Sequence, residues 1–144
     1  MDGKLFFYEF GKMIYRIDGF YAEYAKRCDV KENILWILYA LNDGKPHSQK
    51  EICQSWDLCR STVNTITKEL ESGGYVELTQ IKGEKRELSL RLTDKGVKYS
   101  SSLLSPLYEI EKKVFEELTN IDVIDKLEEV LNGLYKHSEV NHDS

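Results

Sequence analysis

Proline occurs twice in 144 residues, glycine nine times and cysteine three times. So little proline and glycine argues against a turn-rich all-β fold and favours long helices. The cysteines (Cys28, Cys53, Cys59) are odd in number and sit in no metal-ligand spacing, and His47, His137 and His142 form no cluster with them. Neither a metal site nor a disulfide framework is expected; free thiols in a reducing cytoplasm fit this usage better. Long apolar runs are missing as well. The longest, Ile34–Leu41, has eight residues, against roughly 18 for a membrane span. Asp2, Lys4, Glu9 and Lys12 interrupt the first stretch, so it has no signal-peptide core. No Gly-rich phosphate loop and no Ser, Cys, His or Asp set at catalytic spacing is present, so no enzyme, catalytic residue or cofactor is expected.

Net basic charge is also lacking: 20 basic against 25 acidic side chains give −5, which by itself argues against a nucleic-acid partner. Its distribution changes that reading. Residues 45–98 hold ten basic and eight acidic side chains, residues 1–44 six and seven, and residues 99–144 four and ten. The acidity is concentrated at the C-terminal end and the middle is mildly basic.

What is present is mostly helical periodicity. Phe6, Phe10, Met13, Ile14, Ile17, Phe20, Tyr21 and Tyr24 recur at three- and four-residue spacing, which predicts one amphipathic helix from about Lys4 to Cys28. Asp29, three residues before Glu32, predicts a capping arrangement that opens a second helix to about Asn42, apolar nearly all round and so placed in the core. Ser48 with Glu51 is a capping box for a short helix to Trp56, and a further helix runs from about Arg60 to Ser72, ended by Gly73-Gly74. The period then changes to two. Tyr75–Ile81 and Arg86–Leu92 read as strands around a turn at 82–85. Thr93 caps a long helix to about Leu118 with Pro106 inside it, and Thr119 or Asn120 opens a last helix carrying Leu127, Val130, Leu131 and Leu134.

Two short helices with a tight turn, followed by a hairpin, is the layout of a winged helix-turn-helix. At 100° per residue Val63, Ile66, Thr67 and Leu70 share one face of the second helix. Ser61, Thr65 and Lys68 point the other way, flanked by Thr62 and Asn64. A small, uncharged, hydrogen-bonding face suits entry into a major groove, with Arg60 and Lys68 reaching phosphates. The same residues also serve simply to cap and solvate an ordinary helix. Lys82, Lys85 and Arg86 around Gly83 give the hairpin a narrow basic tip, suited to a minor groove.

Arg60-Ser61-Thr62-Val63 with Leu70-Glu71-Ser72-Gly73-Gly74-Tyr75-Val76, and Glu84-Lys85-Arg86 followed by Leu92-Thr93-Asp94-Lys95-Gly96, resemble the recognition helix and wing of the MarR family of bacterial transcriptional regulators. Pro106 resembles a feature of the family's long helix. The resemblance implies that Arg86 enters the minor groove and that Glu84, where the family usually has Asp, braces it. It implies a mainly α fold with a small β-hairpin wing: an N-terminal dimerisation helix (1–30), a DNA-binding region (31–98) and C-terminal dimerisation helices (99–144) in one intertwined domain. A homodimer with recognition helices about 34 Å apart would read a pseudo-palindromic site of double-stranded DNA. The apolar stripes of the first and last helices exceed what a small wing domain needs for itself, in keeping with that.

Members of the family commonly release DNA on binding a small phenolic or hydrophobic ligand or on cysteine oxidation. Tyr15, Tyr24, Trp36, Tyr39 and Tyr108 are the aromatics available to line an effector pocket, although core and dimer packing accounts for each of them as well. Cys59 stands where a helix cap is expected, and a helix N-terminus beside Arg60 favours its thiolate. The resulting expectation is a repressor released by a ligand. The alternatives are a winged-helix interaction module that does not bind DNA and a redox-sensing regulator using Cys59.

Overall fold

The computed structural model describes residues 1–83 and 87–138. It contains α1 (Gly3–Arg27), α2 (Glu32–Leu41), β1 (His47–Ser48), α3 (Gln49–Trp56), α4 (Arg60–Ser72), β2 (Val76–Gln80), β3 (Leu88–Leu92), α5 (Asp94–Glu117) and α6 (Val123–Ser138). Two compact units divide it, Met1–Pro106 and Leu107–Ser144, so α5 runs across the division. That division falls at Pro106, the one position inside α5 without a backbone N–H to donate to the preceding turn.

Helix ends follow local chemistry. The Asp2 carboxylate accepts from Leu5 N–H at 2.8 Å, Ser48 Oγ from Glu51 N–H at 2.9 Å, and Thr93 Oγ1 from Gly96 N–H at 3.0 Å. Asp29 departs from expectation. It does not cap α2, whose N-cap is Lys31 without a side-chain bond. Instead Asp29 adopts a left-handed φ of 58° just past α1, letting its own N–H reach Lys26 O and Val30 N–H reach Ala25 O. Asp57 (φ 50°) closes α3 and Gly74 (φ 78°) closes α4 in the same way. Each left-handed residue satisfies the last carbonyls of the helix before it, and Asp tolerates that conformation better than most non-glycine residues.

In the first unit the core forms around α2. Leu35, Ile37, Leu38 and Leu41 are fully buried, joined by Ile52 of α3, Val63, Ile66 and Leu70 of α4, Val76 of β2, Leu90 of β3 and Leu104 of α5. Each such side chain contributes about 1.5–3 kcal/mol through burial. The sheet has three strands in the order β1-β3-β2, all antiparallel, with Val76 opposite Leu92 and Gln80 opposite Leu88. β1 is an addition to the expected hairpin. Its two residues pair His47 with Leu90 and Ser48 with Ser89, tying the start of α3 to the wing strand.

In α6 no residue is buried. Ile124 is 68% exposed, and Leu127, Leu131 and Leu134 stay open beside it. Along α1 the apolar side chains Leu5, Phe6, Phe7, Met13, Ile14, Ile17 and Phe20 are likewise exposed.

His47 is clamped between two carboxylates. Its Nδ1 lies 2.8 Å from Glu51 Oε1 and its Nε2 2.9 Å from both Asp43 oxygens. Partial burial opposes the charged imidazole, but the bonds to Asp43 and Glu51 outweigh it and hold the His47 pKa above its ordinary value. The clamp's contribution is therefore complete below about pH 6.5 and is lost as pH rises through the raised folded pKa. Thermal unfolding of wild type and His47→Gln between pH 6 and 9 tests this. The wild-type advantage should shrink as pH rises; a gap that does not vary with pH rejects the clamp.

Candidate nucleic-acid interface

The site is built on α4. Val63, Ile66, Thr67 and Leu70 are buried, while Ser61, Asn64, Thr65 and Lys68 are exposed and Thr62 is half-buried. The expected division of faces is therefore observed, with the small polar side chains outward near the helix start. Beyond them the face continues into an open groove of about 360 Å³ toward the start of α2, lined among others by Lys31, Asn33, Ser61, Thr62 and Thr65. Lys31 Nζ and Glu69 Oε1 form an ion pair of 3.2 Å at this groove.

Arg60, expected to be a phosphate contact, has a protein partner. Its guanidinium donates to Glu87 Oε2 at 3.0 Å, while Glu87 Oε1 accepts from Lys50 N–H at 2.9 Å. Burial raises the pKa of the Glu87 carboxyl, but the Lys50 N–H and the Arg60 charge outweigh this and hold it below its ordinary value. Sequence reasoning missed Glu87. It fell inside the expected strand Arg86–Leu92 and was given no role there, yet it is 7% exposed.

Cys59 is the N-cap of α4. Its Sγ lies 3.3 Å from Ser61 Oγ and 2.9 Å from Thr62 Oγ1, and the residue is exposed. These hydroxyls, Ser61 first and then Thr62, with the Thr62 backbone N–H, bring the thiol down to about 7. Part of the expected cause is present, since the Thr62 N–H belongs to the helix start, but the hydroxyl donors act more strongly and Arg60 bonds to Glu87 instead. Cys53 is half-buried, and burial pushes its thiol up.

At the wing, Lys82 and Gly83 form the exposed turn after β2, Gly83 with φ 85°. Lys85, Arg86 and the brace Glu84 lie outside the described residues.

Comparison with known proteins agrees with this geometry. Residues 33–87 match the family model described as MarR family. The HTH-type transcriptional regulator SarZ of Staphylococcus saprophyticus is 30% identical over 123 residues, covering 84% of this chain and 82% of that protein. The chain belongs to the MarR family. The MarR family regulator NMB1585 from Neisseria meningitidis superposes with a TM-score of 0.74 at 26% identity, covering 91% of this chain and 92% of that one. AbfR, whose structure in the reduced state bound to DNA is known, shares the fold at TM-score 0.69 and 22% identity, covering 91% and 92%. This MarR-family chain is a DNA-binding transcriptional regulator, not an enzyme.

Of the aromatics expected at an effector pocket, Trp36 and Tyr39 pack against each other in this MarR-family chain. Trp36 and Tyr39 form a cluster with Tyr21 and Trp56, the Trp36 ring lying 4.7 Å from Tyr21 and 5.3 Å from Trp56. Tyr21 and Trp56 were not among the expected residues; their contacts join three helices and leave no periodic trace. Tyr24 donates its hydroxyl to Leu103 O at 2.7 Å, Tyr15 is 79% exposed, and Tyr108 belongs to the second unit. No helix is long and apolar enough to cross a membrane, and no group of His, Cys, Asp and Glu suits a metal ion, among the described residues.

The low thiol pKa is directly measurable. The pH dependence of Cys59 alkylation should show a midpoint near 7, and Ser61→Ala/Thr62→Val should return it toward about 8.5. An unmoved midpoint in that variant would exclude the hydroxyls as the cause.

Proposed function

We propose that this regulator is a repressor that binds a pseudo-palindromic operator as a homodimer and is released by a small hydrophobic or phenolic ligand. The observation that carries the DNA-reading part is the outward face of α4, where Ser61, Asn64, Thr65 and Lys68 stand exposed while Val63, Ile66 and Leu70 anchor the helix in the core. Uncharged hydrogen-bonding side chains near a helix start read base edges, Lys68 neutralises a phosphate, and Arg86, beside Lys85 at the wing, enters the minor groove. The open apolar faces of α1 and α6 support a second copy as the partner, because a monomer rarely leaves so many large apolar side chains exposed. A two-fold pair then sets half-sites about one helical turn apart.

Selection of bound duplex from a random pool, followed by salt titration, tests the reading. Affinity should fall steeply with salt, and Lys68→Ala or Arg86→Ala, each removing one contact per protomer and so two per dimer, should reduce the log–log slope by about 1.8. Asn64→Ala should relax base discrimination by about 1–3 kcal/mol. Binding to no duplex at any salt concentration would favour a winged-helix interaction module, and a monomer by sedimentation would reject the two-fold operator.

The Cys59 thiol supports a second reading, a redox-sensing regulator. A peroxide oxidises an exposed thiolate to sulfenic acid, expelling hydroxide, at the cap of the helix proposed to read DNA. Footprinting before and after peroxide, alongside Cys59→Ser, should show release of the wild type alone. Unchanged binding of both proteins ends this reading.

A further inference from the structure

Glu87 lies outside the reading face, yet three parts of the reading region meet at its carboxylate. It directly precedes β3, so it belongs to the base of the wing. Its Oε1 accepts from the Lys50 N–H in the first turn of α3, and its Oε2 from the guanidinium of Arg60, the first residue of α4. Its backbone carbonyl also accepts from Ile81 N–H at 3.1 Å, closing the wing behind β2. The Glu87 side chain is only 9% exposed, whereas that of Arg60 is 53% exposed.

This asymmetry is informative. A buried carboxylate with one oxygen on a backbone N–H has a fixed position, so the cation bonded to its other oxygen is fixed with it. Arginine carries five N–H donors in a rigid fork, and such a fork bridges two anions when one is built into the protein. The half-exposed guanidinium sits at the N-terminus of α4, where backbone N–H groups already favour an anion.

We propose that Glu87 is a positioning residue for DNA binding: through Oε2 it holds the Arg60 guanidinium at the start of the recognition helix, oriented to receive a backbone phosphate. The role rests on the assignment of α4 as the DNA-reading helix. Glutamine at position 87 presents one carbonyl oxygen and one amide nitrogen. It can accept from Lys50 N–H or from Arg60, not from both.

A double-mutant cycle on the full-length protein, using a duplex selected by the wild type, tests this. Glu87→Gln should weaken binding of the dimer roughly a hundredfold, about tenfold for the one charge-assisted hydrogen bond lost in each protomer. It should also lower the salt slope by about 1.8, one phosphate contact in each protomer of the dimer. In an Arg60→Ala background Glu87→Gln should cause no further loss of affinity or slope. A purely structural role would give the same loss in both backgrounds and would overturn the proposal, as would wild-type affinity in Glu87→Gln. Glu87→Asp provides a second measurement if the glutamine variant unfolds: it keeps the charge but shortens the reach, and should weaken binding only where Arg60 is present. Equal weakening with and without Arg60 overturns the role here too. If the wild type binds no duplex, the reading-helix assignment falls and this role with it; if the wild type binds and the cycle is additive, this role alone falls.

Discussion

A short stretch of chain at the end of α4 constrains most of the first unit. Gly74 turns left-handed, and Tyr75 N–H reaches back to Leu70 O at 2.8 Å before the chain enters β2. The carbonyls of Gly73, Gly74 and Tyr75 are then used by the far end of the hairpin and the start of α5. Thr93 Oγ1 donates to Gly74 O, Lys95 Nζ to Gly73 O, and Thr93 N–H to Tyr75 O. Gly96 packs so closely on the Tyr75 carbonyl that a Cβ there would collide with it. Tyr75 in turn stacks on Tyr99 of α5 at 4.5 Å, with the Lys95 ammonium over its ring. The end of α4, the start of β2, the end of β3 and the start of α5 are therefore tied together at residues 73–75.

The opposite end of α4 is held by charge. Glu87 is a carboxylate taken out of water and compensated by a helix-start N–H and a guanidinium, as a buried charge requires. β1 adds a second tie, because its pairing with β3 brings the N-cap Ser48 of α3 against the wing. Both ends of α4 are thus fixed to the same small sheet. Its outward polar face and the Cys59 thiol remain accessible on a supported helix. That combination suits a protein whose chemistry is recognition: rigid support behind, exposed donors and acceptors in front.

Much of this was legible before the fold was known. Ser48 with Glu51 and Thr93 with Gly96 are capping pairs three residues apart, and each forms the expected bond. The spacing of Val63, Ile66 and Leu70 identified the buried side of α4. Asp29 shows the limit of local reading. An acid before a helix serves equally well to cap the next helix or to end the previous one in a left-handed turn, and the structure takes the second option. β1 left no signal, since two residues carry no periodicity. Arg60 was read only as a phosphate contact, because its protein partner lies 27 positions away in sequence.

The sequence by itself determined the helices and the two wing strands, most of their ends, the sidedness of α4 and the apolar stripes of α1 and α6. Those features depend on hydrogen bonds and periodicities within four or five residues, which a linear reading captures. Tertiary structure decided which charged and aromatic groups meet: Arg60 with Glu87, Tyr24 with Leu103 across 79 positions, and Trp36 with Tyr21 and Trp56. Such pairings follow from how the helices pack around Leu35, Leu38 and Leu90, and many partners satisfy an unpaired charge or ring equally well until the packing brings one of them within reach.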